Sequence, residues 1–241
     1  MPPDRIQNEY FDFADRERYE WTVAGPGFAD TEDDLLAPLR PLIESPLLEV
    51  GCGEGNNLHR LADIGRCVGV DYYAPKVVFA QGVVAGADFA AADAAALPFA
   101  DGAFQTVFIR DLLHHVRDPD AAMAEAMRVL RRGGRFLLIE PNGRNPLVNL
   151  QSRLVPAERA ARDFGVARVE SILRAHPLVD IEVSTAHPLP LRRLVFHYKM
   201  GLPGLGRSAL ARRSLASLER WSARVIPPSH WEHVVASARR K

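Results

Sequence analysis

Short apolar runs alternate with stretches of helical periodicity across residues 46–145. The runs predict five buried strands, bounded by proline, glycine or aspartate, at residues 47–50, 67–70, 87–92, 106–109 and 135–140. Before the last run, apolar residues recur at the spacing of one helical face, at positions 123, 126, 127 and 130. Strands and helices joined by short links predict a parallel sheet with helices on both faces.

The flanking regions are less regular. Residues 1–45 are expected to be irregular apart from a short helix near 33–36, and Gly133-Gly134 is expected to end the helix before the fifth strand. After residue 146, the pattern predicts helices at 157–175 and 208–225 and strands at 179–185 and 233–237. We therefore expect one domain in three parts: an N-terminal cap or lid (1–45), a ligand-binding core (46–145) and a C-terminal part (146–241) that completes the sheet and covers the substrate.

The amino-acid composition narrows the possible classes of protein. The 241 residues are 47% hydrophobic and 25% charged, as in an ordinary soluble globular protein. No apolar run approaches the ~18 residues of a membrane span, and the first residues lack the pattern of a signal peptide. Cys52 and Cys67 are the only cysteines, too few for a disulfide framework or a metal cluster. We therefore expect no metal and a cytoplasmic location.

The formal net charge is zero, but the charges are unevenly distributed. Residues 1–143 hold 13 Lys and Arg against 23 Asp and Glu, whereas residues 144–241 hold 17 against 7. Either the two halves attract each other, or the basic half meets an anionic substrate or a membrane surface. In the second case the expected contacts are Arg192, Arg193, Arg212 and Arg213.

Three glycines stand at every second position of the sequence LLEVGCGEGNN, where the first strand gives way to a helix. Backbone N–H groups at such a turn bind negative or polar ligand groups. The spacing places Asn56 where the dinucleotide fingerprint has its third glycine, which counts against NAD and FAD. Asp71 and Asp93 end the next two strands, where carboxylates can accept ribose hydroxyls and the amine of adenine. The pattern indicates a nucleoside-type ligand.

Four segments in order at strand ends resemble a known family: LLEVGCGEGN, VGVD, AADAAALPFADGAFQTVF and HHVRDPDAAMAEAMRVLRRGGRFLLIEPN. Over about residues 46–145 they resemble the class I S-adenosylmethionine-dependent methyltransferases of the small-molecule and lipid branch, with a methyltransferase type 11-like domain. The resemblance implies a Rossmann-like, doubly wound, mostly parallel seven-stranded α/β sheet with an antiparallel last strand. It also implies S-adenosyl-L-methionine as the cofactor.

The resemblance assigns roles to individual residues. The implied contacts are Glu49, Gly51, Gly53 and Gly55 for the methionine part, Asp71 for the ribose, Tyr72, Asp93 and Ala94 for the adenine, and Arg110 near the sulfonium. Two departures from the family stand out, Gln105 in place of an aspartate and Arg110 in place of a small or polar residue. The charge of Arg110 needs a partner, and Asp111 is the nearest candidate.

Methyl transfer mainly requires that the acceptor be aligned with the methyl group and that water be excluded. A hydroxyl acceptor also needs a base, for which His114 and His115 are the candidates unless they only shape the cofactor pocket. The N-terminal aromatic residues form a lid or else anchor the chain terminus. The candidate substrate and lid residues are Tyr19, Trp21, His197 and Tyr198.

The acceptor is expected to be a small molecule or lipid-like compound, methylated on an O, N or C atom. No nucleic acid is expected, because the chain lacks the Asn/Asp-Pro-Pro-aromatic run of nucleic-acid methyltransferases after the fourth strand. Residues 189–213 suit a transient contact with a membrane surface. One alternative is a protein of the same fold that binds S-adenosylmethionine without methyl transfer, cyclase-like or regulatory. A dinucleotide oxidoreductase is the other, and the oligomeric state is open.

Overall fold

The computed structural model describes residues 5–241 as seven strands, ten α-helices and short 3₁₀ turns. The strands are β1 (Leu47–Val50), β2 (Cys67–Asp71), β3 (Ala87–Ala91), β4 (Phe104–Arg110), β5 (Leu130–Pro141), β6 (Leu178–Ala186) and β7 (His233–Arg240). The helices are α1 (Arg5–Phe11), α2 (Arg16–Ala24), α3 (Ala29–Leu36), α4 (Asn56–Leu61), α5 (Ala74–Val83), α6 (Pro119–Val129), α7 (Pro146–Leu154), α8 (Val166–Arg174), α9 (Leu191–Val195) and α10 (Ala209–Ser222). Residues 1–4 of the predicted N-terminal segment lie outside the described residues.

All seven strands form one sheet in the order β3-β2-β1-β4-β5-β7-β6. The strands β1 to β5 are parallel, and β7 runs antiparallel to both β5 and β6. The chain reverses its direction of travel across the sheet between β3 and β4, which lie on opposite sides of β1. The predicted fold class, with its antiparallel last strand, is confirmed.

Helices cover both faces of the sheet, so the central strands are buried on both sides. Leu47 and Leu48 are adjacent in β1 and both are fully buried, but they belong to two separate apolar clusters. Successive strand residues point to opposite faces, so each cluster marks one face. The near-continuous apolar runs that predicted the strands follow from this double burial.

The outer regions depart from the sequence prediction. Residues 5–36 form three helices instead of an irregular segment, and the side chain of Asp15 caps α2 by accepting a hydrogen bond from the Arg18 N–H. Gly133 and Gly134 lie inside β5, because α6 already ends at Val129 and Leu130 pairs with β4. The predicted helix at 157–175 is divided into a 3₁₀ segment, Pro156–Asp163, and α8.

The carboxyl ends of the parallel strands meet at one edge of the sheet, beside a cavity of about 1400 Å³. Residues that follow β1, β2, β3, β4 and β5 all line this cavity. The helix α1 closes one side of it and is held to the 3₁₀ segment by a hydrogen bond from Gln7 Nε2 to the Ala157 carbonyl oxygen. The fold thus places the candidate site where parallel α/β sheets bind ligands.

Candidate active site

The three glycines after β1 have positive φ angles, but the surroundings of Gly53 differ from those of Gly51 and Gly55. A Cβ on Gly51 would lie 2.9 Å from Leu112, and one on Gly55 would lie 2.9 Å from Val84. A Cβ on Gly53 would meet no heavy atom of the described residues within 4 Å, and Gly53 lines the cavity. Packing within the protein therefore explains Gly55, which does not line the cavity, whereas Gly53 leaves open space at the cavity wall.

Asp71 ties the end of β2 to the glycine turn. Its Oδ2 accepts a hydrogen bond from the Gly53 N–H at 2.8 Å, and its Oδ1 accepts one from the Tyr73 N–H at 2.9 Å. Burial raises the pKa of Asp71, and the neighbouring Lys76 ammonium opposes this effect. A carboxylate has about four acceptor positions, so two remain for a ligand in the cavity.

The predicted adenine residues lie on the same wall of the cavity. Tyr72, Asp93 and Ala94 all line it. Asp93 Oδ1 accepts a hydrogen bond from the Ala95 N–H at 2.9 Å, which fixes the loop after β3. The structure therefore brings these three residues together with Gly53 and Asp71, as the sequence predicts.

Glu49 lies behind the turn and does not line the cavity, in contrast to its expected contact with the cofactor. Its Oε1 accepts a hydrogen bond from Asn57 Nδ2 at 2.5 Å, and its Oε2 has no hydrogen-bond partner among the described residues. Burial raises the pKa of Glu49 to about 8, so the side chain is largely protonated at neutral pH. Glu49 supports the turn from the protein side.

Arg110 lines the cavity, but its guanidinium is held inside the protein by a residue that the sequence did not indicate. Its Nη2 lies 2.7 Å from Glu32 Oε2, and its Nη1 donates to Asn57 Oδ1 at 2.8 Å. Asp111, the expected partner, is further away at 3.3 Å. Burial raises the pKa of Glu32, but the Arg110 and Arg193 charges outweigh it and lower the pKa to about 2. The positive charge of Arg110 is therefore neutralised from α3.

His114 lies between two carboxylates. Its Nδ1 is 2.6 Å from Glu140 Oε2, and its Nε2 is 3.4 Å from Glu158 Oε2. Burial lowers the pKa of His114, but the Glu140 and Glu158 carboxylates outweigh it and raise the pKa to about 10. His114 is thus protonated at neutral pH, which favours the alternative that it shapes the pocket over a role as a base.

His115 is neutral, in contrast to its neighbour. Burial and the charge of His114 lower the pKa of His115 to about 4. The Phe11 ring of α1 packs against the imidazole, with ring centroids 4.8 Å apart. Glu158 also lines the cavity, and its pKa is lowered because the effect of the two histidines outweighs its burial. The sequence did not indicate Glu158 or the pairing of His114 with Glu140 and Glu158, since these contacts join distant parts of the chain.

The predicted lid residues separate into two groups. Tyr19 is buried against Phe79 and Trp21 donates a hydrogen bond to the Phe196 carbonyl oxygen at 3.0 Å. Neither of these two described residues lines the cavity, which favours the alternative that they anchor the N-terminal helices over a place in a lid. His197 and Tyr198 do line the cavity, with stacked rings 4.9 Å apart.

Apolar residues also line the cavity. They come from α1, α7 and the α9 region, and several are exposed where the cavity opens: Tyr10, Phe13, Leu147, Leu150, Leu154, Leu194 and Met200. Exposed apolar groups at the opening of a cavity are typical of a binding site for an apolar ligand.

The arginines that were expected to contact an anion are mostly engaged within the protein. Arg192 is buried and pairs with Glu219 at 2.5 Å and with Asp34 at 2.6 Å. Arg193 pairs with Glu232 at 3.2 Å. The charge imbalance between the two halves of the sequence therefore serves in part to hold them together.

Two groups of side chains have the types and spacing of metal ligands: His114, His115 and Glu158, described above, and a group at the start of β7. His187, Glu232 and His233 each offer an atom within 4.8 Å of the others. Arg193 Nη1 already lies 3.2 Å from Glu232 Oε1 and 3.3 Å from His233 Nε2, and a guanidinium in this position disfavours a second cation. That no metal binds stays a prediction.

The sheet order is that of the Rossmann-like α/β class, and the glycine turn and the carboxylates after β2 and β3 lie where this class binds ligands. Residues 48–138 match the sequence family described as a methyltransferase domain. This match and the relatives below bear out the predicted resemblance to the class I S-adenosylmethionine-dependent methyltransferases and, with it, the predicted cofactor S-adenosyl-L-methionine. The space at Gly53 and the acceptor positions of Asp71 fit that cofactor.

The chain is similar in sequence to two curated proteins. A probable S-adenosylmethionine-dependent methyltransferase of Mycolicibacterium smegmatis is 34% identical over 97 residues, 40% of this chain and 38% of the relative. The 27-O-demethylrifamycin SV methyltransferase of Amycolatopsis mediterranei is 35% identical over 114 residues, 44% of this chain and 42% of the relative. The chain thus spans only 38% and 42% of the length of these relatives.

A solved structure resembles the whole chain. A crystal structure of a SAM-dependent methyltransferase from Thermotoga maritima, described as a possible histamine N-methyltransferase, aligns with a TM-score of 0.69 at 18% identity. The alignment covers 98% of both chains. Similarity at this level of identity shows that the fold is shared.

Proposed function

We propose that this protein transfers the methyl group of S-adenosyl-L-methionine to an O, N or C atom of a small-molecule or lipid-like acceptor. The observation that carries the proposal is the open space at Gly53 beside the Asp71 carboxylate, at the carboxyl edge of the sheet. One relative is named for a small-molecule acceptor, 27-O-demethylrifamycin SV. This name supports a small molecule over a nucleic acid as the acceptor.

The residues around the turn suit the parts of the cofactor. In this proposal Asp71 accepts the ribose hydroxyls through the positions that its two backbone bonds leave free. Gly51 and Gly53 allow the backbone to approach the methionine part. The adenine is assigned to Tyr72, Asp93 and Ala94.

S-adenosyl-L-methionine supplies an activated methyl group on a sulfonium, together with a good leaving group. The protein has to align the acceptor and exclude water. The α1 residues Tyr10 and Phe11 line the cavity next to His115 and favour such a closed site. Because Glu32 neutralises Arg110, that arginine can lie at the cavity wall without repelling a cationic cofactor.

If the acceptor must lose a proton, Glu158 is the proposed base. It lines the cavity, and its pKa is lowered because the effect of His114 and His115 outweighs its burial, so the carboxylate is ionised at neutral pH. His114 holds its proton between two carboxylates and acts by fixing the position of Glu158. His115 remains a neutral wall residue in this proposal.

The exposed leucines and aromatic residues at the opening favour an acceptor with a large apolar part. His197 and Tyr198 line the same cavity, where the Tyr198 hydroxyl donates to Asp15 Oδ2 at 3.4 Å, and both are proposed as substrate contacts. A cytoplasmic location stays a prediction, which two free and buried cysteines in the described residues support. In residues 5–241 no helix has both the length and the apolar character needed to cross a bilayer.

The test is an acceptor screen with methyl-labelled S-adenosyl-L-methionine, read out as label on the acceptor and as S-adenosylhomocysteine released. Transfer to an apolar small molecule or lipid supports the proposal. Tight cofactor binding without turnover on any acceptor class would favour a binding protein of the same fold. Binding of NAD in place of S-adenosyl-L-methionine would contradict the proposal entirely.

A further inference from the structure

The outward face of α10 is unusually apolar for a solvent-exposed helix. Leu210, Leu218 and Trp221 are 76%, 51% and 57% exposed. They recur at the spacing of one helical face, three to eight residues apart. The opposite side of the helix carries the buried polar residues Glu219 and Ser222. These three large apolar side chains therefore point away from the protein, whereas Leu215 is half-buried.

Basic side chains accompany this apolar face. Arg213, Arg220 and Arg224 are exposed, and no carboxylate of the described residues forms an ion pair with them. Glu219 is the only acidic residue in residues 199–225, and it is buried against Arg192. The exposed charge on this segment is thus entirely positive. We define the α10 outer face as Leu210, Arg213, Leu218, Arg220, Trp221 and Arg224.

We propose that the α10 outer face binds the surface of an anionic lipid bilayer. An amphipathic helix with Leu and Trp on one face, flanked by arginines, inserts its apolar residues at the level of the headgroups while the basic residues attract anionic lipid. A second copy of this chain fits less well, because two identical faces would bring like charges together. Nucleic acid fits less well, because the face carries two leucines and a single aromatic ring on which a base could stack.

The position of the cavity supports this choice. Leu194 and Met200 precede α10 in the same segment, are exposed, and line the opening of the cavity. The helices α9 and α10 contact each other. A bilayer bound at α10 would therefore lie near the opening through which an apolar acceptor enters. Binding itself requires neither cofactor nor methyl transfer, so this inference goes beyond the proposed function and can be tested separately.

Vesicle binding of the full chain gives the first test. The wild-type protein should sediment at low salt with vesicles of equal parts phosphatidylcholine and phosphatidylglycerol, and not with phosphatidylcholine alone. Changing Arg213, Arg220 and Arg224 to Gln should weaken binding roughly 100-fold, as expected for three basic residues near an anionic surface. The matched control changes the exposed Arg131 and Arg132 to Gln and should bind as the wild type does.

The apolar contribution is tested by fluorescence. Trp221 is the exposed tryptophan, whereas Trp21 and Trp231 are half-buried. Vesicles with brominated lipid should quench the emission of the wild type and not that of Trp221→Phe. The change Leu210→Ser should weaken binding severalfold, whereas Val78→Ser, at an exposed apolar site on α5, should not.

Three results would overturn the inference. The first is that wild-type protein stays in the supernatant with anionic vesicles at low salt. The second is that the arginine and Leu210 variants bind as tightly as their controls. The third is a concentration-dependent dimer that Trp221→Phe dissolves, since this would assign the face to a second copy. Circular dichroism and cofactor titration of each variant check that fold and cofactor site are unchanged.

Discussion

The change Asp71→Ala tests the proposed ribose contact most sharply. The carboxylate accepts backbone N–H bonds from Gly53 and Tyr73, and its remaining acceptor positions are assigned to two hydroxyls. A hydrogen bond to a charged group contributes about 1.5–3 kcal/mol, and some of that loss is recovered when water takes its place. We expect cofactor affinity to fall by about 2–4 kcal/mol, or roughly 30- to 1000-fold.

The assay is isothermal titration with S-adenosyl-L-methionine, accompanied by thermal unfolding. Asp71→Ala also leaves two backbone N–H groups without their acceptor, so its stability should fall by about 1–3 kcal/mol. Asp88→Ala is the matched control, because Asp88 is exposed on the neighbouring strand β3 and does not line the cavity. A folded Asp71→Ala protein that binds the cofactor within threefold of the wild type would refute the ribose assignment.

Three further predictions follow from the same contacts. Gly53→Ala should still fold, at a cost of about 1–2 kcal/mol for its positive φ, but should bind the cofactor more weakly in calorimetry. Gly55→Ala should chiefly lower the melting temperature, and a Gly53→Ala protein with wild-type cofactor affinity would contradict this. Glu32→Gln should lower the free energy of unfolding by about 3–5 kcal/mol in urea titrations, because Arg110 loses its buried partner; a loss below 1 kcal/mol would contradict it. The pKa of His114 is raised from 6.5 to about 10, so its protonated ring contributes stability that is fully present below pH 6.5. This contribution to the free energy of unfolding is lost as the pH rises through 10. Unfolding free energy should fall across this window and the fall should be smaller in His114→Gln, so parallel pH profiles would contradict the assignment.

Local sequence patterns were sufficient for the centre of the fold. Strands β1, β2 and β4 are buried on both faces, so each appears in the sequence as a short apolar run. Since parallel strands place their carboxyl ends together, the glycine turn, Asp71 and Asp93 could be assigned to one edge from the sequence alone. Their contact with a ligand remains a prediction.

The N-terminal helices could not be predicted from patterns of apolar residues. The sequence RERYEWTVA of α2 has no apolar stripe. Its position depends on tertiary contacts, including the bond from Arg18 Nη2 to Glu54 Oε1 at 2.6 Å. Such contacts override weak local propensity. For the same reason the sequence left open whether Tyr19 and Trp21 belong to a lid or anchor the N-terminal segment, and their packing favours the anchor.

The partners of the buried ion pairs also could not be predicted from the sequence. Glu32 and Arg110 are 78 positions apart, and no local pattern relates them. The arginines of the C-terminal half looked alike, yet Arg192 is buried in an ion pair and Arg213 is exposed. Only their packing distinguishes a charge that holds the fold together from one that is available to a partner.

The most direct test of the central claim is a crystal structure of the protein with S-adenosylhomocysteine. We expect to find both ribose hydroxyls within hydrogen-bond distance of the Asp71 carboxylate. We also expect the amino-acid part of the ligand against the backbone of Gly53, and the adenine beside Asp93 and Ala94. A ligand bound elsewhere in the cavity, or density that shows no ligand at saturating concentration, would contradict the claim that this edge of the sheet is the cofactor site.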